Sequence, residues 1–296
     1  MTPQLCLGTA QFGLAYGITN AVGQVSEEAV AQLLAQAERN GICWLDTAQA
    51  YGTAEAVLGR NLPFSHRFQI ISKLSAQRRL RFSAQDAEAW EQAYLLSCQK
   101  MRVPGLHSLL LHTPADLRKP GGQYLEDWLL GLRQRGLVQR IGVSIYTAED
   151  LEGVNPELLD VVQLPLSLFD QRLLQDGTIA SLRASGTLIH ARSLYLQGLL
   201  LTPAGQWPGW VSPKVRAHQQ ALESLAVHRG CRLIDLALGF ARHQMDLEAV
   251  VLGLCSVQEL NELQAAWLAK TPWEGSEWRT WALKDPTIVD PRHWPH

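Results

Sequence analysis

Among the first 112 residues of this 296-residue chain, Asp46, Tyr51, Lys73 and His112 are of types that together do proton chemistry at a carbonyl. A carbonyl that accepts hydride becomes an alkoxide, so its site must supply a proton and stabilise negative charge on one oxygen. Tyr51 can supply the proton. A free phenol has a pKa of roughly 10, and a nearby ammonium favours the phenolate and lowers it. Lys73 is the candidate ammonium, Asp46 the carboxylate that holds it, and His112 a donor to the carbonyl oxygen. Taken singly, each has a plainer explanation: Asp46 as a helix cap, Tyr51 as a loop aromatic, Lys73 as a strand-end charge, His112 as a strand-end histidine before Thr113 and Pro114. They become a site only if the fold brings them together.

Short apolar runs alternate with longer helix-periodic segments along the chain, the pattern of a parallel sheet built from βα units. Eight strand candidates begin at Leu5, Cys43, Phe68, Leu106, Val138, Leu159, Thr187 and Ala249, and each is expected to lead into a helix. Val30, Leu33, Leu34 and Ala37 mark an amphipathic helix with Ser26 as N-cap. Trp90, Tyr94 and Met101 mark another behind Ser83 and Asp86, and Leu260, Leu263 and Trp267 a third behind Ser256 and Glu259, both spaced as capping boxes. Residues 193–248 are too long for one crossover and divide into a loop, a helix opened by Ser212 and Pro213, and a helical run around Leu233 to Arg242. The expected fold is a (β/α)8 barrel of α/β class, one domain over residues 1–296, with a Trp-rich irregular tail from Thr271. In such a barrel reactive groups sit at the C-terminal strand ends. Asp46, Tyr51, Lys73 and His112 all fall there.

Apolar residues make up 47% and charged residues 18%, enough for a large core, and the net charge of −2 gives no reason to expect nucleic acid or an anionic membrane as partner. The five cysteines are scattered, odd in number and never spaced as CxxC, which disfavours a disulfide framework or thiolate metal site and points to the cytoplasm. No HExxH or similar metal spacing occurs, no run reaches the ~18 apolar residues of a membrane span, and no export signal is evident.

The stretches LGTAQFG, GICWLDTAQAYGTAEAVLGRNL, ISKL, LLLH and GVSIY resemble the aldo-keto reductases, above all DTAxxYGxxExxLG at residues 46–59. The resemblance covers nearly the whole chain. It implies that Asp46, Tyr51, Lys73 and His112 form a catalytic tetrad, and that NADP or NAD is bound extended without a GxGxxG loop, with neither metal nor flavin. It implies cofactor contacts at Gly8, Thr9 and Asp46, at Ser144 and Gln163 for the nicotinamide amide, and at Arg192, Ser193, Leu194, Gln197 and Gly198 in ARSLYLQGLL. Gly253, Cys255 and Glu259 match the adenosine-phosphate segment, at a helix N-terminus that favours an anion. Three positions depart from many relatives. Ile145 replaces an Asn, Arg192 replaces an aromatic that stacks on nicotinamide, and residues 253–263 hold no Lys or Arg for a 2′-phosphate while Glu259 would repel one. NADPH is the family's usual cofactor; these departures leave NADH open.

The expected activity is reduction of an aldehyde, ketone or sugar carbonyl. A non-catalytic nicotinamide-binding regulatory subunit is the alternative from another class, and a barrel lyase or isomerase using Lys73 as a Schiff-base nucleophile a third. Specificity is expected from the loops after strands one, four and seven and from the Trp-rich tail. Trp207 and Trp210, in GQWPGW, are either a lid over the site or anchors for a long loop.

Overall fold

The eight apolar runs form strands because their β-branched and leucine-rich stretches bury both faces, one towards a barrel axis and one towards surrounding helices. A computed structural model describes residues 2–20, 22–63 and 65–295. The strands are β1 (Gln4–Gly8), β2 (Trp44–Asp46), β3 (Gln69–Leu74), β4 (Leu106–Leu111), β5 (Val138–Ser144), β6 (Val161–Pro165), β7 (Leu188–Arg192) and β8 (Ala249–Gly253). They pair in parallel, in chain order, and close into a barrel where β8 meets β1.

Helices follow the strands: α1 (Ala10–Gly13) and α2 (Glu27–Arg39) after β1, α3 (Ala54–Asn61) after β2, α4 (Asp86–Met101) after β3 and α5 (Gly122–Gln134) after β4. Then come α6 (Arg172–Gln175) and α7 (Thr178–Ala184) after β6, α8 (Pro213–His228) and α9 (Leu233–His243) after β7, and α10 (Val257–Leu268) and α11 (Pro286–Val289) after β8. Ser26, Ser212 and Ser256 each accept a backbone N–H from the first turn of α2, α8 and α10, as expected.

Two expectations are corrected. The β5–β6 connection has no α-helix; Gly153 and Pro156 break it into two single 3₁₀ turns, Ala148–Leu151 and Pro156–Leu158. Ser83 is not an N-cap acceptor: its hydroxyl and amide both donate to the Asp86 carboxylate (3.0 and 2.8 Å), and α4 starts at Asp86 without a side-chain cap. All five cysteines are free thiols, and among the described residues no helix is long and apolar enough to cross a membrane.

The core has two parts. A large cluster packs the outward strand faces (Leu7, Leu45, Ile70, Leu109) against the helices, while Cys6, Trp44, Ile71, Leu110, Val161, Ala249 and Val251 form a smaller one. Side chains alternate along a strand, so residues two positions beyond members of the smaller cluster share their side. From Trp44 that gives Asp46, from Ile71 Lys73, from Leu110 His112, and from Val161 Gln163. The barrel's period of two therefore delivers these polar groups to its C-terminal mouth.

Candidate active site

Lys73 is fully buried, as is costly for an ammonium unless it is paired. Its Nζ donates to both carboxylate oxygens of Asp46, at 2.8 and 2.7 Å, and to the Thr47 carbonyl at 3.0 Å. Burial pulls its pKa down, but Asp46 and Tyr51 push it up further, and the net shift is upward. The ammonium therefore stays charged throughout the neutral range. Asp46, 3% exposed, accepts a third bond from Gln163 Nε2 at 2.7 Å.

Tyr51 lies in the turn between β2 and α3, its Oη 3.5 Å from Lys73 Nζ. Gly13 fixes this turn by close approach: a Cβ there would stand 1.9 Å from the Tyr51 carbonyl oxygen and 2.3 Å from the Ala54 amide nitrogen. Behind the turn, Glu55 is buried and accepts from Ser72 Oγ (2.8 Å) and Ser97 Oγ (3.2 Å), tying α3 to β3 and α4. The DTAxxYGxxExxLG pattern contains Glu55, yet residue type alone did not mark it as the anchor of the tyrosine turn.

Lys73 pulls the Tyr51 pKa down, as expected, but the net shift is upward. Burial raises its pKa more than Lys73 lowers it, so the phenol sits above its ordinary value and is neutral at physiological pH. That suits a proton donor. His112, just past β4, packs edge-to-face on the Tyr51 ring with centroids 5.9 Å apart. Burial, then the Lys73 and Arg192 charges, lower its pKa to about 4, so it is a neutral imidazole with one N–H to donate.

Asp46, Tyr51 and His112 line a cleft of about 650 Å³ across the barrel mouth. Of the expected cofactor contacts, Gly8, Thr9, Asp46, Arg192, Ser193, Leu194, Gln197, Gly198, Gly253, Cys255 and Glu259 line it. Ser144 and Gln163 do not; both are buried, Ser144 at the end of β5 and Gln163 within β6 against Asp46. Tyr16, Thr19 and Tyr146 line the cleft without having been singled out from the sequence. Their loops carry no periodicity, so only the fold could place them. The loop after β1 reaches the one after β7, where Thr19 Oγ1 donates to the Gln197 carbonyl at 3.3 Å. There Ser193, Leu196 and Gln197 hold left-handed φ values of 61°, 47° and 54°, strain of the kind that gathers at ligand sites.

The Trp-rich tail contributes no cleft-lining residue among those described, contrary to expectation. Trp207 is an anchor and not a lid: it is buried, and its indole N–H donates to the Leu199 and Thr202 carbonyls, both at 2.9 Å. Trp210 packs on Trp294 of the tail, centroids 5.6 Å apart.

The polar atoms of the mouth fit a dinucleotide. Gln163 Oε1, Gln11 Oε1 and Tyr195 Oη are buried without a protein partner, and Gln11 and Tyr195 line the cleft. Buried groups of this kind cost about 1–3 kcal/mol each when unpaired. At the α10 end, however, anion-binding capacity is partly consumed. Glu259 Oε2 accepts the Cys255 N–H at 2.7 Å, and Ser256 Oγ accepts the Glu259 N–H at 3.1 Å. Glu262 lines the same end.

Comparison with known proteins agrees with this architecture. The model of the Aldo/keto reductase family matches residues 4–281. L-galactose dehydrogenase of Arabidopsis thaliana is 25% identical over 270 residues, 82% of this chain and 79% of that one. An aldo-keto reductase of Mycolicibacterium vanbaalenii is 30% identical over 140 residues, 45% of this chain and 46% of the relative. Among solved structures, an aldo-keto reductase from Bacillus halodurans superposes with a TM-score of 0.75 over 99% of this chain and 95% of its own, at 18% identity. Glycerol dehydrogenase of Gluconobacter oxydans does so with 0.70 over 94% and 90%, at 19% identity. With its closed parallel barrel, and a family match reaching from β1 into the tail, the chain belongs to the aldo/keto reductase family of oxidoreductases.

Proposed function

We propose that the chain is a nicotinamide-dependent reductase of a small aldehyde or ketone, with Tyr51 as the acid and NADH as the preferred cofactor. The observation that carries the reading is the buried chain Asp46–Lys73–Tyr51, with bidentate contacts of 2.7 and 2.8 Å at one end and 3.5 Å at the other, opening on the cleft. The nicotinamide, when bound, supplies the hydride. Gln163 Oε1 and Ser144 would hold its amide, and residues 193–198 the ribose and pyrophosphate. Tyr51 gives its proton to the alkoxide oxygen, Lys73 stabilises the phenolate left behind, and Asp46 keeps Lys73 charged and in place. His112, neutral, donates to the same oxygen and orients the substrate. In the reverse direction Tyr51 takes the proton back. The relatives named for L-galactose and glycerol oxidation support testing sugars and polyols in that direction.

The NADH preference is supported by Glu259 and Glu262 at the far end of the cleft. A 2′-phosphate there would meet carboxylates and a helix N-terminus whose Glu259 and nearby Cys255 amides are already bonded. Steady-state oxidation of NADH and NADPH over aliphatic, aromatic and sugar carbonyls tests both parts. NADH should be favoured by at least about 10-fold in kcat/KM, the size of one unfavourable charge contact, and Glu259→Gln should narrow that ratio. Equal or better use of NADPH contradicts the cofactor assignment. Tight cofactor binding without turnover on any carbonyl or alcohol contradicts the reductase reading and favours the regulatory subunit.

A further inference from the structure

At the mouth of the barrel two guanidiniums bracket one aromatic ring. Arg192 lies 4.1 Å from the Tyr146 ring centroid and Arg292, from the C-terminal tail, 3.9 Å from it. Their charges are treated differently. Arg292 is neutralised by Asp290, which is 1% exposed and paired at 2.6 Å. Arg192 has no carboxylate within salt-bridge distance among the described residues; its guanidinium donates only to the Ile145 carbonyl (2.9 Å) and Ser193 Oγ (3.2 Å). Five N–H donors are available to a guanidinium, so most of its donor capacity remains.

Arg192 lines the same cleft as Tyr51 and His112, and its charge is felt at both and at Tyr16. It is half-buried, which strengthens whatever it pairs with. Its direction is also fixed. The bond to Ile145 and the stack on Tyr146 swing it past β6 to the end of β5, away from β8 and the Glu259–Glu262 end of the cleft. A half-buried cation, held by uncharged partners in the cleft that the proton donor also lines, is a preformed subsite for a planar anion, and a guanidinium matches a carboxylate in a two-bond fork.

We propose that Arg192 is a specificity-determining residue that binds a carboxylate carried by the carbonyl substrate, so that the preferred substrates are short oxo acids or aldehyde acids rather than neutral carbonyls. The inference rests on the reductase reading above. It predicts a charge requirement, not only a fit: a primary amide of the same shape leaves the guanidinium unpaired.

The test compares 2-oxopropanoate, 4-oxobutanoate and 4-formylbenzoate, each with its primary amide, in the parent, Arg192→Lys and Arg192→Gln proteins. In the parent, kcat/KM for the best acid should exceed that for its amide by about 10- to 100-fold, the size of a charged hydrogen-bonded pair. Arg192→Gln should bring the ratio near one, and Arg192→Lys should keep part of it. NADH affinity, read by protein fluorescence in each variant, should move by less than about 3-fold. A ratio near one in the parent, or one that survives Arg192→Gln, overturns the proposal. So does a loss of NADH affinity in Arg192→Gln with the acid-to-amide ratio unchanged, which would assign the guanidinium to the cofactor's phosphates. Benzoate binding to the NADH complex, followed by nucleotide fluorescence, needs no turnover. Benzoate held by the parent but not by Arg192→Gln supports the carboxylate subsite even where no carbonyl is reduced, an outcome that would sink the reductase reading alone. Equal binding of benzoate to both proteins overturns the subsite.

Discussion

Replacing Lys73 by methionine should cost stability as well as turnover. The ammonium makes two of the three hydrogen bonds found on the Asp46 carboxylate, at 2.7 and 2.8 Å, and the two side chains are 1% and 4% exposed. Lys73→Met leaves a buried carboxylate with only the Gln163 amide for company. Breaking a buried pair from one side costs about 3–5 kcal/mol. A chain of 296 residues unfolds with an entropy on the order of 0.6 kcal/mol/K, so the melting temperature should fall by about 5–8 °C. Asp46→Asn in the Lys73→Met background removes the stranded charge and should recover at least about half of that loss. Activity should not return with it. Differential scanning calorimetry of the parent, both single variants and the double variant completes the cycle. A Lys73→Met protein that melts with the parent, or losses that simply add in the double variant, would refute the buried ion pair as the element that sets this site.

Other consequences follow from the barrel and its mouth. His190 is fully buried with neither ring nitrogen partnered, and burial, with the nearby Arg140 charge, lowers its pKa to about 3. Because the folded value lies below the unfolded ~6.5, the stability due to neutral His190 is complete above pH ~6.5 and is lost as pH falls towards 3. By pH ~4.5 the loss should be about 2–3 kcal/mol; urea midpoints should drop over this range in the parent and less in His190→Leu, and identical pH slopes would contradict it. Gly13→Ala forces a methyl against the Tyr51 and Ala54 backbone at 1.9 and 2.3 Å, so the tyrosine turn must move. A displacement of about 1 Å costs roughly 100-fold in turnover, and stopped-flow reduction rates close to the parent's would contradict that role for the glycine.

The fold was legible because period and punctuation agreed. Eight apolar runs, serine caps at Ser26, Ser212 and Ser256, and breaks between them describe βα units whose parity sends Asp46, Lys73 and Gln163 inward. What failed was what sequence spacing does not encode. Ser83 and Asp86 stand three apart as a capping box does, but the serine hydroxyl turns to the carboxylate. The tryptophans of GQWPGW were ambiguous because the same ring can cover a ligand or pin a loop, and Trp207 pins one. Lys73 beside Tyr51 predicted a lowered phenol, yet the depth of burial, which no local pattern states, outweighs the charge. Arg192 was visible as a departure from the family pattern, but not its pairing with Tyr146 and Ile145, brought close by strand β5.

Proton delivery by the Tyr51 phenol is tested by single-turnover reduction of a carbonyl in a Tyr51→Phe protein preloaded with NADH. The ring remains to pack on His112, the hydroxyl 3.5 Å from Lys73 is gone, and NADH should bind within about 3-fold of the parent. The rate should fall by about 100- to 10,000-fold, the range of a lost general acid. A preloaded variant that reduces the carbonyl at the parent's rate would show that the proton comes from elsewhere.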